Sequence, residues 1–398
     1  MANMLHDRDK KSVWQVLRHI DILLLASTVS LTVIGIAMVY SVTKAQHTYL
    51  GVTPDHYVIR QFGFAIVGIS IMAVLLFFDY RHFEELGIVV YVAVVIMLVG
   101  VLSNLGTHVL GGQRWFQFGP IQIQPSEFAL LAVILLCAYI LSKSNGVGFK
   151  VLIFILAVMS VPMLLVYMQP DLGTAIIIGV SLLVMLVASG LRVRYILLLL
   201  GLLVFGVFLI LHFGILKPFQ VERLTAFLHP KNAPAGTVYN LQQSENAIGA
   251  GGLLGQGYGH GAQTNLAFVP EQQTDFIFTA VGEQLGFLGT ASVVALYSIM
   301  AWRLMRAILL ARDQYGRTIA AGTLGVISFS AFQNIGMTLG IMPITGIPLP
   351  FMSSGGSAMV VFFALIGLVL NVEMRRLQGV SGQYSPMRRG EELPPISI

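Results

Sequence analysis

Apolar positions in this chain come in long unbroken runs, not in alternation or narrow stripes. The runs lie at about 22–41, 61–78, 87–104, 125–142, 151–168, 173–190, 195–214, 276–302, 319–340 and 356–373. A helix needs roughly 20 apolar residues to cross the hydrocarbon core. Lipid admits only structures that satisfy their own backbone hydrogen bonds. The pattern predicts an all-α polytopic membrane protein with about ten transmembrane helices. The least distinct spans are 173–190, which follows its predecessor closely, and the one starting near 276. The first run is too long for a cleaved signal peptide and lacks a small-residue cleavage site, so it reads as a retained span.

Charge placement orients the spans. With the N-terminus inside and the spans alternating, 17 of the 23 Lys and Arg residues fall on the cytoplasmic side, as the positive-inside rule requires. Both termini are then cytoplasmic. Residues 1–21 form an N-terminal cytoplasmic segment, 22–373 a membrane domain and 374–398 a flexible cytoplasmic tail. One connection is long, about 215–275, and extracytoplasmic. Apolar positions such as Leu241, Ile248 and Phe268 argue against a disordered linker. They predict a short helix near 238–249, with re-entrant or interfacial pieces after it.

Composition agrees: 56% of the 398 residues are hydrophobic and 10% charged. A soluble domain is nearer a quarter charged. The single cysteine, Cys137, excludes an intrachain disulfide framework and reads as a buried thiol. No phosphate-binding loop, zinc-ligand spacing or Ser-His-Asp signal is present, and nothing points to nucleic acid. Gly249 to Gly261 is glycine-rich but lacks the strand–helix context of a nucleotide loop; it reads as flexible or closely packed backbone.

Polar groups at membrane depth must be satisfied by protein or water, so those near the outer ends of the spans are functional candidates. Arg114 and Trp115 lie in the second outer loop, ahead of Gln124-Pro125-Ser126-Glu127 at the start of the fourth span. Trp115 alone reads equally well as an interfacial anchor, and Glu127 as a carboxylate favoured by the helix dipole. Asp171 can cap the helix after Gln169-Pro170, so a structural turn competes with a binding role. Asp275 ends the long loop where water meets hydrocarbon. Partial desolvation there would raise its pKa and improve it as a base; an N-cap is the plain alternative. Glu283, about 12 Å further along the same helix, would lie deep and need a partner or a water-filled cavity. The last outer loop, Pro343 to Ser357, contains Ser353 and so much Pro and Gly that irregular backbone is required. With Arg223, these residues predict a cavity open to the outer leaflet.

The same loops resemble the SEDS family (shape, elongation, division and sporulation). Matching pieces run in family order over nearly the whole chain: Gly112-Gln113-Arg114-Trp115, Gln124-Pro125-Ser126-Glu127, Gln169 to Thr174, Arg223 to Leu228, Ala247-Ile248-Gly249 with the following glycines, Pro270 to Phe278, and Gly282 to Gly286. Gly346 to Ser353 and Tyr239-Asn240 look most like the RodA branch. Three positions depart from the family pattern. Leu130 stands where a Lys would follow Glu127, Gln273 replaces a His, and Ser354 replaces a Tyr.

The resemblance implies a peptidoglycan glycosyltransferase of the bacterial cytoplasmic membrane, serving cell elongation and shape. It would polymerise lipid II, the undecaprenyl-pyrophosphate-linked disaccharide pentapeptide, at the outer face. It implies Asp275 as general base on the acceptor hydroxyl. Arg223 and Arg114 would hold pyrophosphate oxygens, with Trp115, Glu127, Asp171, Glu283 and Ser353 as further substrate-binding candidates. It implies a class B penicillin-binding protein, a transpeptidase, as partner. A divalent cation such as Mg2+ or Mn2+ would share the charge, but no ligand set is visible. A lipid II flippase and a non-catalytic scaffold are the competing readings.

Overall fold

The computed structural model describes residues 19–50, 54–109, 112–119, 121–144, 146–214, 218–229 and 235–376. Met374 and Arg375, expected to begin the flexible tail, are instead buried in the last helix; the rest of the tail, and most of the N-terminal segment, falls outside the described residues. Seven helices come first: α1 (Ile22–Leu50), α2 (Pro54–Phe77), α3 (Phe83–Val101), α4 (Pro125–Ser142), α5 (Phe149–Met168), α6 (Leu172–Ala188) and α7 (Val193–His212). The long connection carries α8 (Pro218–Leu228), α9 (Ala235–Ala250) and α10 (Ala262–Asn265), before α11 (Ile277–Leu310), α12 (Gln314–Thr338) and α13 (Gly356–Arg375). Among the described residues, eight helices are long and apolar enough to cross a membrane: α1 to α5 and α11 to α13. Shorter apolar helices at Leu172–Ala188 and Val193–Gly206 occupy the other two expected spans. The helix expected near 238–249 is α9.

Burial sorts the helices. The apolar window of α13 is 94% buried, that of α12 78% and that of α4 72%, against 22% for α2 and for the span ending in α3. Lipid tails are as apolar as leucine, so helices associate through close packing and not through exclusion of water. Gly68 of α2 lies against the Phe363 ring of α13, and a Cβ on Gly325 of α12 would come within 2.7 Å of the Ser181 Cα in α6. The inner helix α12 has the lowest hydropathy of the eight, 1.2. It faces protein, and its buried Thr318, Thr323, Ser330, Gln333 and Asn334 account for the value. At the opposite end of the bundle from residue 275, Arg303 of α11 bonds Asp21 and lies 3.4 Å from Glu373 of α13.

Two features went unforeseen. The loop after α3 folds into a three-stranded antiparallel meander, β1 (Thr107–Val109), β2 (Gly112–Phe118) and β3 (Ile121–Ile123). It sets Trp115 opposite Thr107 and Phe116 opposite Ile123. The span starting near 276 is also two helical pieces, broken at Gly286 with φ 66° and ψ −160°.

The glycine-rich segment fills that break. The N–H groups of Gln256 and Gly257 donate to the Glu283 and Gln284 carbonyls at 2.9 and 3.1 Å. Phe287 and Leu288 N–H groups return bonds to the Gly252 and Leu253 carbonyls at 2.8 and 3.2 Å. A Cβ on Gly251 or Gly255 would overlap the Gly282 or Gln284 carbonyl, and Gly255 sits at φ +81°. Closely packed backbone is therefore the reading that holds. Gly255→Ala is expected to cost about 2 kcal/mol or more, visible as a lower unfolding midpoint in detergent. Gly236→Ala, with open space around it, should leave the midpoint unchanged.

Candidate functional site

A tight turn precedes α11. The Glu271 carbonyl accepts from the N–H groups of Thr274, Asp275 and Phe276 at 3.2, 3.1 and 3.4 Å. Glu271 itself sits at φ +50°, a strained conformation of the kind that collects at functional sites. The turn leaves Asp275 two residues before the helix, held by its backbone. Asn334 of α12 donates from Nδ2 to the carbonyls of Asp275 and Ile347, both at 2.8 Å. The amide has two hydrogens, one for each carbonyl. The chain from Pro343 is thereby fixed beside Asp275, and Gly346 turns there at φ +73°. A Cβ on Gly346 would lie 3.2 Å from Asp275 Oδ2 and 3.7 Å from Arg223 Nη1. The carboxylate and the guanidinium thus flank one point of the backbone, which is why that point is glycine.

Burial is the main influence on Asp275 and raises its pKa. Arg223 and Arg114 oppose the rise, Glu271 and Asp171 add to it, and the outcome is about 6. Part of the residue stays accessible. No hydrogen bond from a described side chain stabilises the charged form. Burial likewise pulls the Arg223 guanidinium below its ordinary value, against the opposing charge of Asp275.

A second cluster joins the other loop motifs. Asp171 caps α6 through the Thr174 N–H at 3.3 Å. Its Oδ2 also accepts from Thr174 Oγ1 and Ser126 Oγ, each at 3.0 Å, and from Gln124 Nε2 at 3.2 Å. Arg114 Nε donates to the Gln169 carbonyl at 2.9 Å, Nη2 donates to the Pro170 carbonyl, and Nη1 lies 3.9 Å from Asp171. The Gln-Pro-Ser-Glu and Gln-Pro-Asp motifs are therefore two halves of one network, with Arg114 as its clasp.

The remaining expected residues separate. Glu127 is 5% exposed, and no described side chain hydrogen-bonds its carboxyl; Leu130, one turn on, is buried and apolar. Trp115 is half-buried in β2. Glu283 does need a partner, and the long loop supplies it: its carboxylate accepts from the N–H groups of Gln263 and Thr264 at 2.6 and 2.9 Å and from Thr264 Oγ1 at 2.6 Å. Ser353 Oγ accepts from the Leu349 N–H at 2.8 Å, closing a turn. Asp275, Arg223, Arg114 and Asp171 thus form one electrostatic group, while Glu283 and Ser353 hold loops. Asn334 went unnoticed in the sequence, and Gly346 was noticed only as part of the last outer loop and not for its place beside Asp275 and Arg223. Asn334 was findable, because an amide inside an apolar span is costly unless it has work to do. Among the described residues no group of three or more His, Cys, Asp or Glu gathers as a metal site would require.

A family model described as cell cycle protein, spanning FtsW, RodA and SpoVE, matches residues 22–378. The peptidoglycan glycosyltransferase MrdB of Escherichia coli is 35% identical over 384 residues, 94% of this chain and 98% of the relative. A probable peptidoglycan glycosyltransferase FtsW of Geobacter metallireducens is 34% identical over 362 residues, 89% of this chain and 95% of its own. Among solved structures, the rod shape determining protein RodA of Thermus thermophilus superposes with a TM-score of 0.67 at 26% identity, over 90% of this chain and 98% of that one. A chain from a peptidoglycan synthase complex that coordinates polymerization and crosslinking gives 0.75 at 27%, over 90% and 99%.

Asn334→Leu removes both donors and leaves two buried carbonyls unpaired, at roughly 2 kcal/mol or more. Its unfolding midpoint in detergent should fall further than that of Gln333→Leu, which loses a single 2.9 Å bond to the Pro343 carbonyl.

Proposed function

Because this chain belongs to the FtsW/RodA/SpoVE family, the SEDS proteins, we propose that it polymerises lipid II into glycan strands with Asp275 as the general base. It is a multi-pass protein of the bacterial cytoplasmic membrane and a peptidoglycan glycosyltransferase, the activity named for relatives that match it nearly end to end. The RodA likeness supports a role in elongation. The observation that carries the assignment is the pairing of Asp275 and Arg223 across Gly346, at ends of the bundle that the charge distribution places outside.

The chemistry follows from that pair. The acceptor is the 4-hydroxyl of the GlcNAc in lipid II, and the donor is the growing glycan on its lipid pyrophosphate. As the hydroxyl oxygen bonds the donor's anomeric carbon, Asp275 takes its proton and the bond to pyrophosphate breaks. A carboxylate with a pKa near 6 is ionised at neutral pH yet basic enough to accept a proton, which suits it to this step. The departing pyrophosphate carries the negative charge away, and Arg223 is placed to meet it, since guanidinium matches phosphate geometry. Arg114 has committed two of its donors to the carbonyls of Gln169 and Pro170. Its part is to hold that loop and lend its charge. Trp115 and Glu127 are proposed to contact the substrate; Asp171, Glu283 and Ser353 shape the walls. A class B penicillin-binding protein transpeptidase is the proposed partner, in keeping with the synthase-complex neighbour.

Asp275→Ala, supplied with detergent-solubilised lipid II, should lose about 10²–10⁴-fold in rate. Glycan chains formed at the wild-type rate would remove Asp275 from the mechanism. A chain that binds lipid II and never polymerises it would favour transport. For the wild type, kcat/KM should rise with pH through about 6 and level off above, because the base works only when deprotonated. Arg223 holds that pKa down, so in Arg223→Gln the rise should move to higher pH.

A further inference from the structure

At the opposite face, the corner between α2 and α3 meets the start of α12. Arg81, Glu84, Ser142, Arg312, Asp313 and Tyr315 line an open cavity of about 370 Å³ there. Charge placement puts this face in the cytoplasm. None of these residues takes part in the chemistry above.

The cavity's acceptors are already engaged. Glu84 accepts from Ser142 Oγ at 2.7 Å and pairs with Lys143 at 3.1 Å. Asp313 accepts from the Tyr80 hydroxyl and from the Gly316 N–H at 2.8 Å, and its Oδ2 lies 3.3 Å from Arg81 Nε. Asp79, on the same corner, lies 3.7 Å from Arg375 and 4.0 Å from Arg81. The donors are the unused groups. Tyr315 is 3% exposed, and its hydroxyl has no hydrogen-bond partner. Arg81 Nη2 is buried and also has none. Arg312 is exposed and makes no ion pair among the described residues.

The backbone contributes in the same sense. Helix α12 runs for 25 residues from Gln314, so its first N–H groups lack partners within the helix and its N-terminus carries positive potential. Asp313 satisfies Gly316 through its side chain and Arg317 through its carbonyl. The N–H groups of Gln314 and Tyr315 remain. Of the charged side chains that line the cavity, Arg81 and Arg312 balance Glu84 and Asp313; Lys143, paired with Glu84 at 3.1 Å from outside the lining, and the helix terminus add positive potential beside it.

We propose that this cavity binds a phosphate group. The chemistry asks for a compact anion with several acceptor oxygens: guanidinium and a helix N-terminus both select phosphate, and a tyrosine hydroxyl adds a neutral donor. Two sources share that chemistry, the headgroup of an inner-leaflet phospholipid and a free phosphate or phosphorylated solute. The cavity's place at the ends of membrane spans gives both access.

The test uses the full-length chain, purified in detergent and stripped of lipid. The probes are dioleoylphosphatidylglycerol, inorganic phosphate, and dioleoylglycerol as a phosphate-free lipid. Binding is read by native mass spectrometry and by the shift in unfolding midpoint. Arg312→Ala and Tyr315→Phe each remove one donor. Arg312 is exposed, and phenylalanine keeps the ring in place, so both variants should fold. Phosphatidylglycerol should bind and raise the midpoint, with affinity weakened about tenfold in each variant, while dioleoylglycerol does neither. Variant-sensitive binding of inorganic phosphate alone would support the same site with a soluble occupant. Binding of neither phosphate probe, or binding equal in wild type and both variants, would overturn the proposal.

Discussion

The site depends on one constraint: a backbone that leaves regular structure near lipid must find protein partners for its N–H and C=O groups. Three irregular segments among the described residues at the outer face have dedicated partners. The break at Gly286 is closed by the glycine chain at 251–257. The turn at 169–171 is closed by Arg114. The stretch from Pro343 to Met352 is held at four carbonyls by Gln333, Asn334, Tyr297 and Gln61. Those four side chains come from three membrane helices, so the bundle fixes the path of a loop that its own Pro and Gly residues make irregular.

This explains which parts could be read from the chain. The spans were legible because lipid-facing helices must be apolar, and α2, α3 and α5 are the clearest cases. Helix α12 was legible as a span at 319–340 even though its polar residues serve protein. The boundary position of Asp275 followed from where the apolar run begins. The break at Gly286 did not, because a glycine inside an apolar run looks the same whether the helix continues or stops. Nor did the meander, since two of its strands have three residues and give alternation no room to show. Glu283 was flagged correctly as a buried carboxylate needing a partner. The partner lies about 20 residues upstream in a loop whose path no local pattern reveals.

The glycine-rich segment also shows how a loop reaches membrane depth. Only residues without a Cβ can lie against the carbonyls of Gly282 and Gln284. The loop therefore supplies backbone donors where a helix has lost its own. It is also tethered to α1 through the Tyr258 hydroxyl, which donates to the Ala37 carbonyl at 2.7 Å. Glu283 then locks the far end of the loop through Gln263 and Thr264. Loop and broken helix form one unit, with Asp275 at its edge.

Asp171 and Asp275 occupy equivalent places in the sequence, each after a Pro-containing turn and just before a span. Their surroundings separate them. Asp171 accepts bonds from Gln124, Ser126 and twice from Thr174, with Arg114 alongside, so its lone pairs are spoken for and a substrate proton has nowhere to go. Asp275 has its backbone fixed by Asn334, while its carboxyl accepts no hydrogen bond from a described side chain and feels the charges of Arg223 and, more weakly, Arg114. A carboxylate held in place by its main chain, with no described side chain hydrogen-bonded to it, keeps both its position and its basicity. That division of labour suits Asp275 to the proposed role of proton acceptor, and Asp171 to that of holding the neighbouring loops.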